Sequence, residues 1–297
     1  MIKIGVVGVA GGWSSEEIAK TLEERTGYRL LVEMDHVKYS SERESMFFGD
    51  VDLMSLDGLI VKKIGARYSP DHLQRLDMLK YLYKRGLPIF SKPSAIAHCL
   101  DRLSCTLTLR NGGIPMPPTV LTENVEEATD TVKEFGRAVF KPLFTSKARG
   151  MQVISGDDAN LSARINEFKN MGNSVMYIQK MIHIPGCDLG VAFLGGKYIA
   201  TYARVSDGQS WNTTTANGGR YAAWEPDQGV IELARHAQEL FRLDFTCVDV
   251  VETVDGPMVF EVSALGGFRG LWEARRINVA GMIVHSVLES IGHGKLD

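Results

Sequence analysis

The chain has 297 residues, 44% hydrophobic and 23% charged, with a formal net charge of −3. That is room for two or three globular domains and too little basic charge for a generic nucleic-acid binder. No apolar run approaches the roughly 18 residues that a membrane span needs.

Residues 2–9 (IKIGVVGV) read as a buried strand rather than a signal peptide, because strand character begins at once behind a single lysine. Ser14 and Glu17 have the spacing of a capping box, opening a helix expected to reach Arg25 and stop at Gly27. Residues 28–33 and 57–61 read as the second and third strands. Ser69 and Pro70 open a helix with Leu73, Leu76, Leu79 and Leu82 at helical spacing; Gly86 ends it, and LPIF begins a short strand. This strand–helix alternation implies a parallel α/β layer over residues 1–93. Pro93 and Ser94 mark a boundary, followed by a helix over 95–110 that ends at Asn111-Gly112-Gly113. Asn124 caps a helix over VEEATDTVKEF, with Gly136 just past it. AVFKP and GMQVI read as strands around the polar loop LFTSKAR; a helix near 157–170 and the strand VMYIQKMI complete a second block, 94–182. In the third block, 183–297, GCDLGVAFL and KYIATYARV are strands joined by a hairpin turn at Gly195-Gly196. A polar loop, SDGQSWNTTTANGGRY, leads to a helix opened by Pro226, with Val230, Leu233, Ala234, Ala237, Leu240 and Phe241 on one face. The strands FTCVDVVE and MVFEV then flank Asp255-Gly256, and a glycine-rich turn precedes a terminal helix to about Ile291.

Several polar residues interrupt this pattern. Asp249 and Glu261 each sit in an apolar β run, CVDVV and VFEVS. On adjacent antiparallel strands they would aim at one place, and paired hard oxygen donors suit Mg²⁺; solvent exposure or pairing with arginines is the alternative. Lys141 ends AVFK, where a lysine can leave the strand to meet a phosphate, or be an ordinary strand-end lysine. Lys147, Arg149 and Gly150 make a short basic loop, either a cover for phosphates or a solvated hairpin tip. Arg204 ends TYAR, placed to neutralise a transferring phosphoryl group or to form a surface salt bridge. Gly5, Gly8, Gly11 and Gly12 do not fit a GxGxxG dinucleotide fingerprint and read as a tight strand-to-helix turn at a ligand-facing edge. Cys99, Cys105, Cys187 and Cys247 lack CxxC spacing and the seven histidines lack metal spacing, so buried reduced thiols and no zinc site are expected.

In their order these segments resemble an ATP-grasp ligase of the RimK type, most strongly from about Ser91 onward. DRLSCTLTLRNGGIPMPPTV resembles that group's opening helix and G-I-P-x-P-x-T passage, and AVFKPLFTSKARGMQVI its lysine strand and phosphate-covering loop. YIQKMIHIPGCDLGVAFLGGKYIATYAR resembles the adenine hinge and the hairpin ending in a phosphate-facing arginine. FTCVDVVETVDGPMVFEVSALGGFRG resembles the paired metal strands, and VKKIGARYS a passage of the N-terminal domain.

The resemblance implies an α/β chain with an α+β C-terminal part: a three-domain ATP-grasp fold with an N-terminal parallel layer over 1–93, a central subdomain over 94–182 and a C-terminal, metal-bearing subdomain over 183–297. ATP would be gripped between the last two. Lys141 would contact its phosphates under the loop carrying Lys147 and Arg149, with Arg102 as a second basic nucleotide contact. Gln179, Lys180, Met181 and Ile182 would form the adenine hinge, with Asp188 near the ribose or the lysines. Asp249 and Glu261 would hold one or two Mg²⁺ ions, or Mn²⁺, and Arg204 would stabilise the developing charge. Ser263 departs from the pattern: it stands where the group usually has an asparagine as third metal ligand. The acceptor side would be the loop around Trp211, Asn212, Thr213 and Arg220, and Arg269 would meet an anionic substrate or form a structural salt bridge. The implied reaction activates a small-molecule or peptide carboxylate as an acyl phosphate and joins it to an amine. A kinase on the same fold and a nucleotide-binding protein without ligation are the alternatives. A cytoplasmic dimer or tetramer, with no nucleic-acid or membrane partner, is the accompanying expectation.

Overall fold

The computed structural model describes residues 1–208, 211–214 and 218–293. Part of the expected polar loop, residues 209–210 and 215–217, therefore lies outside the described residues.

The N-terminal layer is built on β1 (Ile4–Val7), β2 (Leu31–Val32), β6 (Gly58–Val61) and β7 (Ile89–Phe90), all parallel, in the order β2-β1-β6-β7. The parallel layer is the expected one. Helix α1 (Trp13–Thr26) does end at Gly27, which takes a left-handed φ of 71°. It is not opened by the Ser14/Glu17 capping box: Gly11 and Gly12 bend the chain so early that Ser14 is already helical. The Gly11 N–H donates to Glu16 Oε1 at 2.8 Å instead. Helix α2 (His72–Lys84) starts after Asp71, and its buried stripe is His72, Leu76, Leu79 and Leu82, while Leu73 lies exposed. The sequence reading missed a small antiparallel sheet, β3 (Val37–Ser40), β4 (Ser45–Phe48) and β5 (Val51–Asp52), whose strands are too short and polar for an alternating signal.

The helix expected over 95–110 is two helices, α3 (Pro93–Leu100) and α4 (Arg102–Asn111). Asp101 divides them: its backbone is extended, and its carboxylate accepts from the Leu103 N–H at 2.9 Å and the Ser104 hydroxyl at 3.1 Å. An N-cap in mid-pattern overrides the apolar periodicity around it. The central sheet follows: β8 (Thr119–Thr122), β9 (Arg137–Lys141), β10 (Gln152–Ser155) and β11 (Met176–Lys180), antiparallel in the order β10-β9-β11-β8. Helices α5 (Val125–Phe135) and α6 (Leu161–Asn170) share with it a separate core of Ala128, Val132, Phe140, Ile154, Ile165, Phe168 and Ile178. Asn124 caps α5 as expected, its Oδ1 accepting from the N–H groups of Glu126 and Glu127.

The last sheet has the order β14-β13-β12-β15-β16, antiparallel throughout: β12 (Cys187–Leu194), β13 (Lys197–Val205), β14 (Arg220–Ala223), β15 (Phe245–Thr253) and β16 (Gly256–Val262). Gly195 and Gly196, with φ of 55° and 75°, form the hairpin turn foreseen between β12 and β13. Strand β14 was not foreseen. Helix α7 (Gln228–Glu239) begins two residues beyond Pro226, and the single terminal helix expected is instead α8 (Arg269–Arg275) and α9 (Val279–His293), parted at a left-handed Arg276. No helix among the described residues is long and apolar enough to cross a membrane.

Strand alternation divides this sheet into two faces. Leu189, Val191, Ala203, Val248, Val250 and Val262 enter a core shared with α7 and the N-terminal layer. On the opposite face Ala192, Ala200, Tyr202 and Cys247 pack against Phe268, Leu271 and α9. Gly190 sits between Tyr202 and Asp249 in neighbouring strands, and a Cβ on Gly190 would fall on the Tyr202 ring. Gly270 of α8 closes on the same ring. Gly190→Ala is therefore expected to lower stability by about 1–3 kcal/mol, read as a lower urea midpoint. An unchanged midpoint would show that the ring has room to move.

Candidate active site

The apolar face just described turns polar toward one end of the sheet. Residues two apart on a strand share a face, so Asp188 with Gly190, Tyr202 with Arg204, and Glu261 with Ser263 stand in line. Asp188 lies opposite Arg204, and Asp249 opposite both Gly190 and Glu261. Ser263 extends the row, its N–H bonded to Cys247 O at 2.9 Å and its carbonyl accepting from the Thr246 hydroxyl at 2.8 Å.

Arg204 is the centre of this row. Its guanidinium donates to both oxygens of Asp188 and reaches Asp249 Oδ1 at 3.0 Å. Burial opposes its charge, but Asp188, Asp249 and Tyr202 outweigh that, and the group is held even more firmly protonated than usual. Asp188 is buried and also accepts from the Thr213 hydroxyl. Asp249 is pushed up to about 7, first by burial, against the pull of Arg204 and with the push of Glu261 and Asp188. Glu261 is paired with Arg102 at 3.2 Å. Both carboxylates thus have arginine partners, and they also stand side by side.

The central sheet supplies the opposing wall. Lys141 ends β9 with only 8% of its surface exposed. Its ammonium donates to Gln179 Oε1 at 2.5 Å and lies 5.4 Å from the centre of the Phe260 ring, on the strand that carries Glu261. Burial first, then Arg102, bring its pKa down to about 7, although Glu261 and Asp249 oppose the shift. Arg102, from α4, bonds Pro142 O at 3.2 Å and Thr145 O at 3.3 Å as well as Glu261. It therefore ties the base of the basic loop to the carboxylate pair. In the loop Lys147 is left-handed, and Arg149 folds back on Ser146.

Other expected residues lie further out. Gln179 bridges Lys141 and Thr119, while the N–H groups of Lys180 and Met181 bond Pro118 O and Arg137 O, leaving Ile182 as the next residue of the chain. Asn212 accepts from the N–H and hydroxyl of Thr214. Arg220 is exposed on β14. Arg269 pairs with Glu273 at 2.6 Å and lies over Trp13. The sequence reading set VKKIGARYS apart but assigned no role to Lys62 and Lys63, which directly follow the buried run GLIV.

Asp249, Glu261 and the Ser263 hydroxyl are hard oxygen donors of the kind Mg²⁺ takes. Among the described residues no cluster of three or more His, Cys, Asp or Glu exists that could hold a metal. Two carboxylates suit an ion that completes its shell with phosphate oxygens and water, so the donor set fits magnesium arriving with a nucleotide.

The model of the RimK-like ATP-grasp domain family matches residues 99–287. The chain is 25% identical to the tetrahydromethanopterin:alpha-L-glutamate ligase of Methanosarcina acetivorans, over 96% of this chain and 98% of that protein. It is 24% identical to the ligase of the same name from Methanocaldococcus jannaschii, over 98% and 99%. Among solved structures, a RimK domain protein ATP-grasp from Sphaerobacter thermophilus shares the fold with a TM-score of 0.75 at 21% identity, over 95% of this chain and 98% of that one. The ATP-grasp ligase PsnB, complexed with a phosphomimetic precursor variant, Mg and ADP, gives 0.73 at 17%, over 98% and 99%.

The buried ammonium of Lys141 has a signature in stability. Its pKa is lower folded than unfolded, so between about pH 7 and pH 10 the unfolded chain binds the extra proton and stability rises with pH. Replacing it by Lys141→Met removes this slope. Urea midpoints at pH 7 and pH 9.5 should shift in favour of the wild type at the higher pH, and parallel changes in both proteins would contradict the burial of the charge.

Proposed function

The chain belongs to the RimK-like ATP-grasp family of ATP-dependent ligases, and we propose that it activates a carboxylate with ATP and joins it to an amine. The observation that carries this reading is that Lys141 of one sheet is buried within the field of Asp249 and Glu261 of the next, and Asp249 is itself bound to Arg204. A buried cation beside paired carboxylates that could hold magnesium suits a polyphosphate between two sheets. We place the domain division at 1–93, 94–182 and 183–297, with ATP between the last two.

In this reading the adenine lies along Gln179–Ile182, and Lys141 with the loop of Lys147 and Arg149 neutralises the phosphates. Asp249 and Glu261, with Ser263 beside them, would hold Mg²⁺, which when bound supplies charge neutralisation to the phosphate oxygens. A substrate carboxylate oxygen attacks the γ-phosphorus as the bond to the bridging oxygen of ADP breaks. Arg204, fixed by Asp188, balances the charge on the moving phosphoryl group. The amine then attacks the acyl carbon of the acyl phosphate, forming the amide and expelling inorganic phosphate. The protein's contribution is positioning and fixed charge. L-Glutamate is the first amine to try, because two full-length relatives carry it in their names.

The test is phosphate release across a panel of carboxylates, each with and without L-glutamate, other amino acids or short peptides. Ligation requires both substrates and frees phosphate, whereas a kinase would leave phosphate on its product. Glu261→Gln keeps an acceptor for Arg102 and should reduce turnover by about 100-fold or more with the urea midpoint little changed. Full activity in that variant would remove Glu261 from the metal site. Ser263→Asn should tighten magnesium binding if the hydroxyl occupies the third ligand position, and an unchanged magnesium dependence would exclude it.

A further inference from the structure

Strand β6 delivers two lysines to the C-terminal edge of the parallel sheet, the edge at which open α/β sheets meet their ligands. Lys62 is structural. It is buried, its ammonium donating to Leu265 O at 3.0 Å and Gly266 O at 2.6 Å and lying 5.5 Å from the Phe268 ring. This contact locks the end of β6 to the turn that follows the Glu261 strand.

Lys63 has no such partner. Its N–H bonds Val7 O at 3.0 Å, so the origin of its side chain is fixed by β1. Its side chain is partly buried, and among the described residues it makes no ion pair or side-chain hydrogen bond. Burial and the nearby charges of Lys147 and Arg149 weaken its hold on a proton. The covering loop and the end of the N-terminal sheet thus bring their cations together. The same stretch borders the carboxylates: the partly buried Tyr68 lies within the field of Glu261, Arg102 and Arg149. Behind it His72 is buried, with neither ring nitrogen hydrogen-bonded, and burial lowers its pKa to about 4. A neutral imidazole there adds no further positive charge beside Lys63. Lys63 is half-buried and Lys147 and Arg149 are exposed, and like charges brought together in this way repel less when an anion enters among them.

We propose that Lys63 binds the carboxylate substrate, holding its oxyanion against the γ-phosphoryl group and then holding the acyl phosphate. The inference rests on the ligase reading and adds a residue of the N-terminal layer to a site otherwise made by the other two sheets. Lys63 takes no proton in the step: the carboxylate oxygen forms the new bond to phosphorus, ADP leaves, and the ammonium keeps its ion pair with the acyl phosphate.

Inorganic phosphate, titrated into protein saturated with MgADP, is the probe for the transferred group. Lys63→Met should weaken phosphate binding at least about tenfold, as loss of one charge-assisted contact does, while the MgADP affinity stays within about twofold. Lys63→Arg should recover most of the phosphate affinity. Unchanged phosphate affinity in Lys63→Met would overturn the proposal, as would a parallel loss of MgADP, which would mark a nucleotide contact or a folding defect. Wild-type protein that binds MgADP but no phosphate would also overturn it. Wild-type protein that binds no MgADP would instead sink the ATP reading on which it rests.

Discussion

The polar end of the last sheet is organised around one largely buried guanidinium. Arg204 is sequestered between Asp188 and Asp249, and each of the three is tolerable out of water only because the others are present. Removing one member of such a buried cluster typically costs about 3–5 kcal/mol, so the cluster selects its own surroundings. It needs Asp188 directly across from Arg204, which fixes the register of β12 on β13. Gly190, across from Asp249, leaves the room that the Tyr202 ring fills. The cluster also needs an acceptor-satisfying group on the far side of Asp188, and Thr213 donates there.

The carboxylates of the last sheet are matched by cations from three places. Asp188 and Asp249 bond Arg204 of their own sheet, Glu261 bonds Arg102 of α4, and Lys141 of the central sheet lies in the field of Asp249 and Glu261. Lys63, Lys147 and Arg149 stand outside this balance, on the N-terminal layer and the loop. The inner set is paired within the protein, and the outer set adds positive charge at its border. Arg102 connects the two, because one guanidinium grips Glu261 and the carbonyls at the base of the loop.

Much of this was legible in the sequence because it is written in strand periodicity. The runs around Asp249, Glu261 and Arg204 are strands of one sheet whose alternation places these residues on one face, and Lys141 ends a strand of the central sheet. The hairpin at Gly195-Gly196 and the Asn124 cap follow from residue-specific backbone chemistry. What escaped was set by tertiary context. Arginine pairing of the carboxylates depends on which strands become neighbours, since Arg102 and Glu261 lie 159 residues apart. The β3–β5 sheet has strands of two to four residues, shorter than any periodicity can register. Asp101 splits a helix through a local hydrogen bond that competes with a good apolar stripe. Lys63 gains meaning only when the covering loop is folded beside it.

The Lys62 contact has a consequence for the order in which the molecule is built. Its acceptors, Leu265 and Gly266, follow it by 203 and 204 residues. Until nearly the whole polypeptide has emerged from the ribosome, the strand that ends at Val61 carries a lysine it cannot bury. The N-terminal layer is therefore the first part synthesised and among the last to be completed. A chain cut short before residue 265 would leave Lys62 without both of its acceptors, so a loss at the C-terminal end would reach the strand near the beginning.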